Sequence, residues 1–143
     1  MLAAIQLKSY YVSDISFTYT PESESIENKR VGFTHEINFN PNDEVEVILS
    51  CSIEDQSGLN LDVVLHGLFE VTIPNEDTEK LGYKVKDLCE QNTLSILFPY
   101  LRSAISDISL KANVDPIILP TINIVALINE QKKRTENDIM SLD

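Results

Sequence analysis

Glu44-Val45-Glu46-Val47-Ile48-Leu49-Ser50-Cys51-Ser52-Ile53-Glu54 is the stretch that decides the fold of this chain. Val45, Val47, Leu49, Cys51 and Ile53 fall on one side of an extended backbone. Glu44, Glu46, Ser50, Ser52 and Glu54 fall on the other, and Ile48 alone breaks the alternation. Successive strand side chains point to opposite faces, so this period of two predicts a strand with one buried and one wet face. Residues 59–73 repeat the pattern, with Leu59, Leu61, Val63, Leu65, Phe69, Val71 and Ile73 opposite Asn60, Asp62, His66, Glu70 and Thr72. The linking Asp55-Gln56-Ser57-Gly58 reads as a hairpin turn in which Gly58 can take positive φ. Upstream, Phe33, Ile37 and Phe39 alternate up to a turn at Pro41-Asn42-Asp43, and Ile15, Phe17 and Tyr19 alternate before Pro21. Four strands joined in sequence, each patterned on one side, suit antiparallel pairing. Residues 22–30 read as a polar loop.

The second half changes period. Pro74-Asn75-Glu76-Asp77 carries helix start signals, and Leu81, Val85, Leu88 and Cys89 follow at i, i+4, i+7 and i+8. From Leu94 onward, Leu97, Phe98, Leu101, Ala104, Ile105 and Ile108 continue one helical face, with Ile96, Tyr100 and Leu110 off it. Pro99 lies inside this pattern. An interior proline removes a backbone hydrogen bond and clashes with the preceding turn, at a cost of about 3 kcal/mol. Its expected role is a bend, either to fit the core or to shape a groove. A helix covering one sheet needs a single apolar stripe, so Ile96 and Tyr100 are candidates for a second contact, within the chain or in an oligomer interface. Asn113 to Pro120 reads as a loop. Asn123 is placed to cap a last helix whose Ile124, Leu127, Ile128 and Gln131 share a face, the spacing of any core-facing stripe. Lys132-Lys133-Arg134 suit a helix C-terminus, and a polar tail follows from about 135. Strands first and helices second predict a single α+β domain over 1–143, a four-stranded antiparallel sheet with C-terminal helices packed on one face.

Composition narrows the function. Apolar residues make up 43% of the chain, enough for a core, and 23 acidic against 11 basic residues give a net charge of −12. Phosphate backbones require a Lys/Arg footprint, so nucleic acid is excluded as a partner, and so is an anionic membrane surface. Residues 1–77 hold 14 acids and 3 bases. That imbalance is either a solvated face or a docking surface for a basic partner. No apolar run reaches the length of a membrane span. The segment Met1 to Lys8 has neither the basic n-region nor the apolar h-region of a signal peptide, and Cys51 and Cys89 make no metal or disulfide framework. A cytoplasmic location is expected. His35 and His66 are lone histidines on strands and read as structural. Metal-ligand spacings, a nucleophile elbow and a Gly-rich phosphate loop are all missing from the sequence. Neither catalysis nor a metal or other cofactor is expected.

Four short segments resemble the SecB family of bacterial export chaperones. Asp14-Ile15-Ser16-Phe17 is similar to its D-I-S-F at the end of the first strand, and Gly67-Leu68-Phe69 to its G-I-F in the last strand. Ile96-Leu97-Phe98-Pro99-Tyr100 with Arg102 resembles its helix signature. Pro120, Asn123, Ala126 and Leu127 resemble its P-V-N-F-D-A-L-F, with one extra residue and Val125 in place of the aspartate. The resemblance implies an ATP-independent holdase without nucleotide or metal. It implies a homotetramer, a dimer of dimers, whose apolar grooves hold unfolded clients and pass them to the motor SecA. The matching client-groove residues are Ile37, Phe39, Ile124, Leu127 and Ile128. Asp14 and Asp62 match the acidic SecA-docking face, whereas Thr18 stands at a usual acid and Asn60 at a common leucine. Ile96 and Tyr100 are then expected at the oligomer interface. Two alternatives stay open: a related chaperone for a non-export client such as an antitoxin, and a small-molecule binder or enzyme on a helix-over-sheet fold.

Overall fold

The computed structural model describes residues 4–21, 30–55, 58–72, 82–119, 123–127 and 129–130, with helix side chains described from Cys89 onward. The start signals at Pro74 to Asp77, the side chains of Leu81, Val85 and Leu88, and Ile73, Pro120, Ile128, Gln131 and the polar tail lie outside the described residues. The elements run β1 (Ala4–Tyr19), β2 (Arg30–Asn40), β3 (Glu44–Glu54), β4 (Leu59–Thr72) and α1 (Gly82–Lys111).

The strands form one antiparallel sheet in the order β1-β4-β3-β2. Strands β2, β3 and β4 follow one another as hairpins, but β1 pairs with β4, not with its sequence neighbour. This is a Greek-key order, which the strand patterns in the sequence leave open. The stretch 20–29 joining β1 to β2 is too long for a tight hairpin turn, so nothing local forces those two strands together. The short connections behave as their residues require. Asn42 and Asp43 take φ of 71° and 61°, a left-handed conformation that Asn and Asp tolerate better than most residues. Gly58 takes φ of 90° where the β3–β4 turn closes, and its carbonyl accepts from the Thr20 amide.

Strand β1 runs for 16 residues, well beyond the readable alternation from Ile15 to Tyr19. Its register against β4 slips between Leu7 and Ser9 and again between Val12 and Asp14. Each β-bulge inserts one extra residue and resets the phase. The result keeps Ile5, Leu7, Tyr10, Val12, Ile15 and Phe17 opposite the inward residues of β4.

Helix α1 lies over the odd-numbered face of β3 and β4. Val47, Leu49, Val63, Leu65 and Phe69 below it and Leu97, Leu101 and Ile105 above it have no solvent exposure. Each such side chain contributes roughly 1.5–3 kcal/mol on burial. Phe98 meets Phe33 of β2 edge-on, with ring centroids 5.9 Å apart. Thr93 is fully buried in this apolar contact, and its hydroxyl donates to the Cys89 carbonyl at 2.6 Å. The helix runs unbroken through Pro99, which faces solvent. Water can therefore reach the Ser95 carbonyl that Pro99 leaves without a helical donor.

The helix ends in a Schellman motif. Asn113 takes φ of 58°, its amide donates to the Leu110 carbonyl, and the Val114 amide reaches back to the Ser109 carbonyl. Two serines then bind the following loop to the helix. Ser106 Oγ donates to the Ile117 carbonyl and Ser109 Oγ accepts from the Ile117 amide, which holds Ile117 and Leu119 in the core. Further on, Asn123 Oδ1 accepts from the Ala126 amide, the expected cap on the helical residues 124–127.

Leu97 of α1 packs directly over Gly67, where an added Cβ would lie 2.6 Å from Leu97 Cδ2 and 3.0 Å from Phe69 Cε2. Gly67→Ala is expected to lower the unfolding free energy by about 1–3 kcal/mol through overpacking. Urea denaturation should show a clearly smaller penalty for the same substitution in a Leu97→Ala background, because the space then exists.

Candidate functional site

The sheet has two faces with different chemistry. On the helix side, α1 covers the middle strands and leaves apolar side chains at both edges. Val31 and Phe39 on β2 are 37% and 49% exposed, and Tyr10, Ile15 and Tyr19 on β1 lie in the same range or above it. Large apolar groups gathered at the rims of a covered face are the usual mark of an interaction surface.

The expected groove residues divide between these surroundings. Ile37 and Phe39 sit on β2 opposite Val47 and Val45, with Ile37 half-buried against the core. Leu127 is also half-buried at the margin of the core. Ile124 is 2% exposed and belongs to the core itself, so it supports the surface from beneath and presents none of its own in this conformation. Ile128 lies outside the described residues. Beside β2, His35 Nε2 lies 3.0 Å from Glu90 Oε1 of α1, a polar tie between the edge strand and the helix.

The expected interface residues lie over the opposite edge. Tyr100 is 38% exposed and packs on Tyr10 of β1, with ring centroids 4.4 Å apart. Ile96 is half-buried against the core. Both side chains are thus partly used within the chain, and what remains open is a joint aromatic surface of helix and β1.

The outer face of the sheet is acidic with an apolar centre. Ile48, His66 and Tyr11 lie in one cross-strand row, with Val64 and Leu68 beside it. Tyr11 stacks on His66 at 4.7 Å, and Glu46 lies 3.3 Å from His66 Nδ1. Glu36, Glu44, Glu54 and Glu70 share this face. Asp14 pairs with Val64 and Asp62 with Ser16, which makes the two aspartates diagonal neighbours. Ser13 donates to Asp14 at 2.9 Å and Ser52 donates to Asp62, so both carboxylates are held in place. Thr18 and Asn60, the two departures from the family pattern, are direct cross-strand partners.

Among the described residues no group of His, Cys, Asp and Glu could hold a metal ion, and no helix is long and apolar enough to cross a membrane. Both cysteines are buried, and burial pushes the Cys89 thiol above its ordinary value. An open groove of about 430 Å³ lies between α1 and the loop after it, lined by Pro99, Arg102, Ser106, Asp107, Leu110 and Ile118. Sequence reasoning missed the two-serine clamp beside it, because nothing in the spacing of Ser106 and Ser109 announces a loop returning to them. It also missed the aromatic and histidine row, whose β1 member lies between the bulges.

Comparisons with known proteins agree on a family. The model of SecB, described as preprotein translocase subunit SecB, matches residues 2–135. An uncharacterized protein of Methanocaldococcus jannaschii is 32% identical over 144 residues, covering 94% of this chain and 89% of that protein. Protein-export protein SecB of Nitrosococcus oceani is 29% identical over 147 residues, covering 94% and 85%. A SecB-like chaperone of Mycobacterium tuberculosis, solved in complex with a peptide from an antitoxin, shares the fold. Its TM-score is 0.64 at 15% identity, over 82% of this chain and 87% of that one.

The burial of Ile124 has a measurable consequence. Ile124→Ala should cost about 2–5 kcal/mol of stability, as a core truncation does. Phe39→Ala should leave the unfolding free energy from urea denaturation within about 0.5 kcal/mol of the parent's, as surface substitutions do.

Proposed function

The chain belongs to the SecB family, a family of chaperones and not of enzymes, and on that premise we propose that it is an ATP-independent cytoplasmic holdase for unfolded proteins. The observation that carries this reading is the apolar rim along β2, where Val31, Ile37 and Phe39 flank a sheet face that α1 covers only in part. An unfolded client offers apolar side chains with no fixed order, so its receptor needs apolar area with few polar demands. Burial of that area returns roughly 25 cal/mol per Å². Leu127, together with Ile128, extends the same client-binding groove in this reading. A net charge of −12 keeps a particle with such a surface soluble.

Two further roles belong to the proposal. The aromatic surface of Tyr100, Tyr10 and Ile96 joins subunits into a homotetramer. The outer sheet face, with Asp14 and Asp62 beside the apolar row, docks the basic surface of SecA. One observation favours a second client route. Thr18 faces Asn60 where the export pattern has an acid and a leucine, so this cross-strand pair carries no charge. A chaperone serving a non-export client such as an antitoxin fits that departure.

The purified protein should suppress aggregation of a chemically unfolded substrate at a stoichiometric ratio without nucleotide. Phe39→Asp should weaken that hold about tenfold or more while leaving the fold intact, given the roughly 1.5–3 kcal/mol of a buried Phe. Unchanged aggregation with a folded sample would refute the holdase reading. SecA binding that is present in the parent and lost in Asp14→Lys and Asp62→Lys supports export, and no binding by the parent supports the second route. In light scattering, Tyr100→Asp should lower the assembled mass. A parent running as a 16.1 kDa monomer would contradict the interface.

A further inference from the structure

Past the Schellman end of α1, regular structure no longer holds the chain. No hydrogen bond between described backbone groups involves residues 115–119. Pro116 has no N–H, and the residue before a proline is pushed toward extended backbone, which disfavours another helical turn there. Two side chains of α1 supply bonds instead, both at Ile117. Ser109 is fully buried, and its hydroxyl gives its single proton to the Ser106 carbonyl at 2.8 Å. Its oxygen is left as an acceptor, and the Ile117 amide donates to it at 2.9 Å. The Ser106 hydroxyl donates to the Ile117 carbonyl at 3.0 Å. Two hydroxyls at i and i+3, neighbours on one helix face, thus satisfy both backbone groups of one loop residue.

The consequence lies further along the chain. With Ile117 fixed, Ile117 and Leu119 enter the core while Ile118 between them stays 66% exposed. Asn123 is four residues beyond Leu119, so the start of helical residues 124–127 is confined to within about 14 Å of it. Those residues place Ile124 in the core and Leu127 at its margin, where Leu127 is one wall of the client groove in the proposed function. We propose that Ser106 and Ser109 are positioning residues for client binding, holding the segment that carries Leu127 in its binding arrangement before a client arrives. This rests on the holdase reading and adds to it the residues that preorganise one side of the groove. Removing either hydroxyl leaves a buried backbone group of Ile117 without its partner, and the segment then spends part of its time out of place. A receptor whose competent arrangement is only partly populated binds more weakly in the same proportion.

The test compares the full chain with Ser109→Ala, Ser106→Ala and Ser106→Thr, using reduced and carboxymethylated lactalbumin as a client that cannot refold. In the alanine variants, hydrogen exchange at the Ile117 and Leu127 amides should speed up about tenfold or more, with β3 and β4 unchanged. Affinity for the client should fall by about the same factor. Ser106→Thr keeps the hydroxyl and should keep both values near the parent's. Gly67→Ala, which strains the contact between helix and sheet away from the clamp, should lose stability yet keep its client affinity. Alanine variants that bind the client as tightly as the parent overturn the proposal. A tighter hold also overturns it, since the clamped segment would then be covering client surface. An equal loss in Ser106→Thr or Gly67→Ala does the same, because the hydroxyls would not be what matters. Should Ser109→Ala fail to fold, Ser106→Ala against Ser106→Thr decides, Ser106 being only half-buried. If the parent holds no client, the holdase reading falls and this one with it; if it does and the alanine variants match it, only this one falls.

Discussion

A helix is about 10–12 Å across with its side chains, while four strands at about 4.8 Å spacing make a sheet about 19 Å wide. That mismatch governs the molecule. One helix laid along the middle strands seals β3 and β4, and it leaves the helix-facing side chains of β1 and β2 partly in water. The same residues that a larger helical layer would bury become two apolar rims, one aromatic at Tyr10 and Tyr100, one at Val31 and Phe39.

The covered middle is correspondingly well fixed. Leu97 lies directly on Gly67, in space that a Cβ there would occupy. Phe98 against Phe33 and His35 against Glu90 tie α1 toward β2, and Tyr100 on Tyr10 ties it toward β1. Ser106 and Ser109 hold the loop after the helix through both backbone groups of Ile117. The apolar rims are thereby carried on a scaffold ordered by the chain's own contacts. The acidic outer face is independent of all this, since it lies on the other side of the sheet. In the proposed function, client holding and docking of a basic partner therefore use opposite faces of the sheet.

The reading of the strands shows where a sequence speaks and where it falls silent. Residues 44–54 and 59–72 are legible because both strands are central and one face of each is sealed, so every inward position is apolar. The first half of β1 is not legible. Its extra residues at the two bulges place Leu7 and Tyr10, then Val12 and Ile15, three apart instead of two, and a search for period two sees only Ile15, Phe17 and Tyr19. Strand order was not legible either, because the choice of β4 as the partner of β1 is made between segments far apart in sequence. Of the groove residues, spacing alone could not separate Ile124 from Leu127. They lie on one helical face, and only the packed core shows that the first is buried and the second stands at its margin.

By itself, then, the sequence determined the class of fold, the face of each central strand, the cap at Asn123 and the turn at Gly58, the stripe of α1 and, through four short segments, the family. These are local or periodic properties, imposed by backbone geometry on residues near one another in the chain. The tertiary structure decided the strand order, the phase of β1, the side of the sheet on which each acid lies, and which apolar residues remain uncovered. Those depend on how much area one layer can cover on another, and no local pattern carries that quantity.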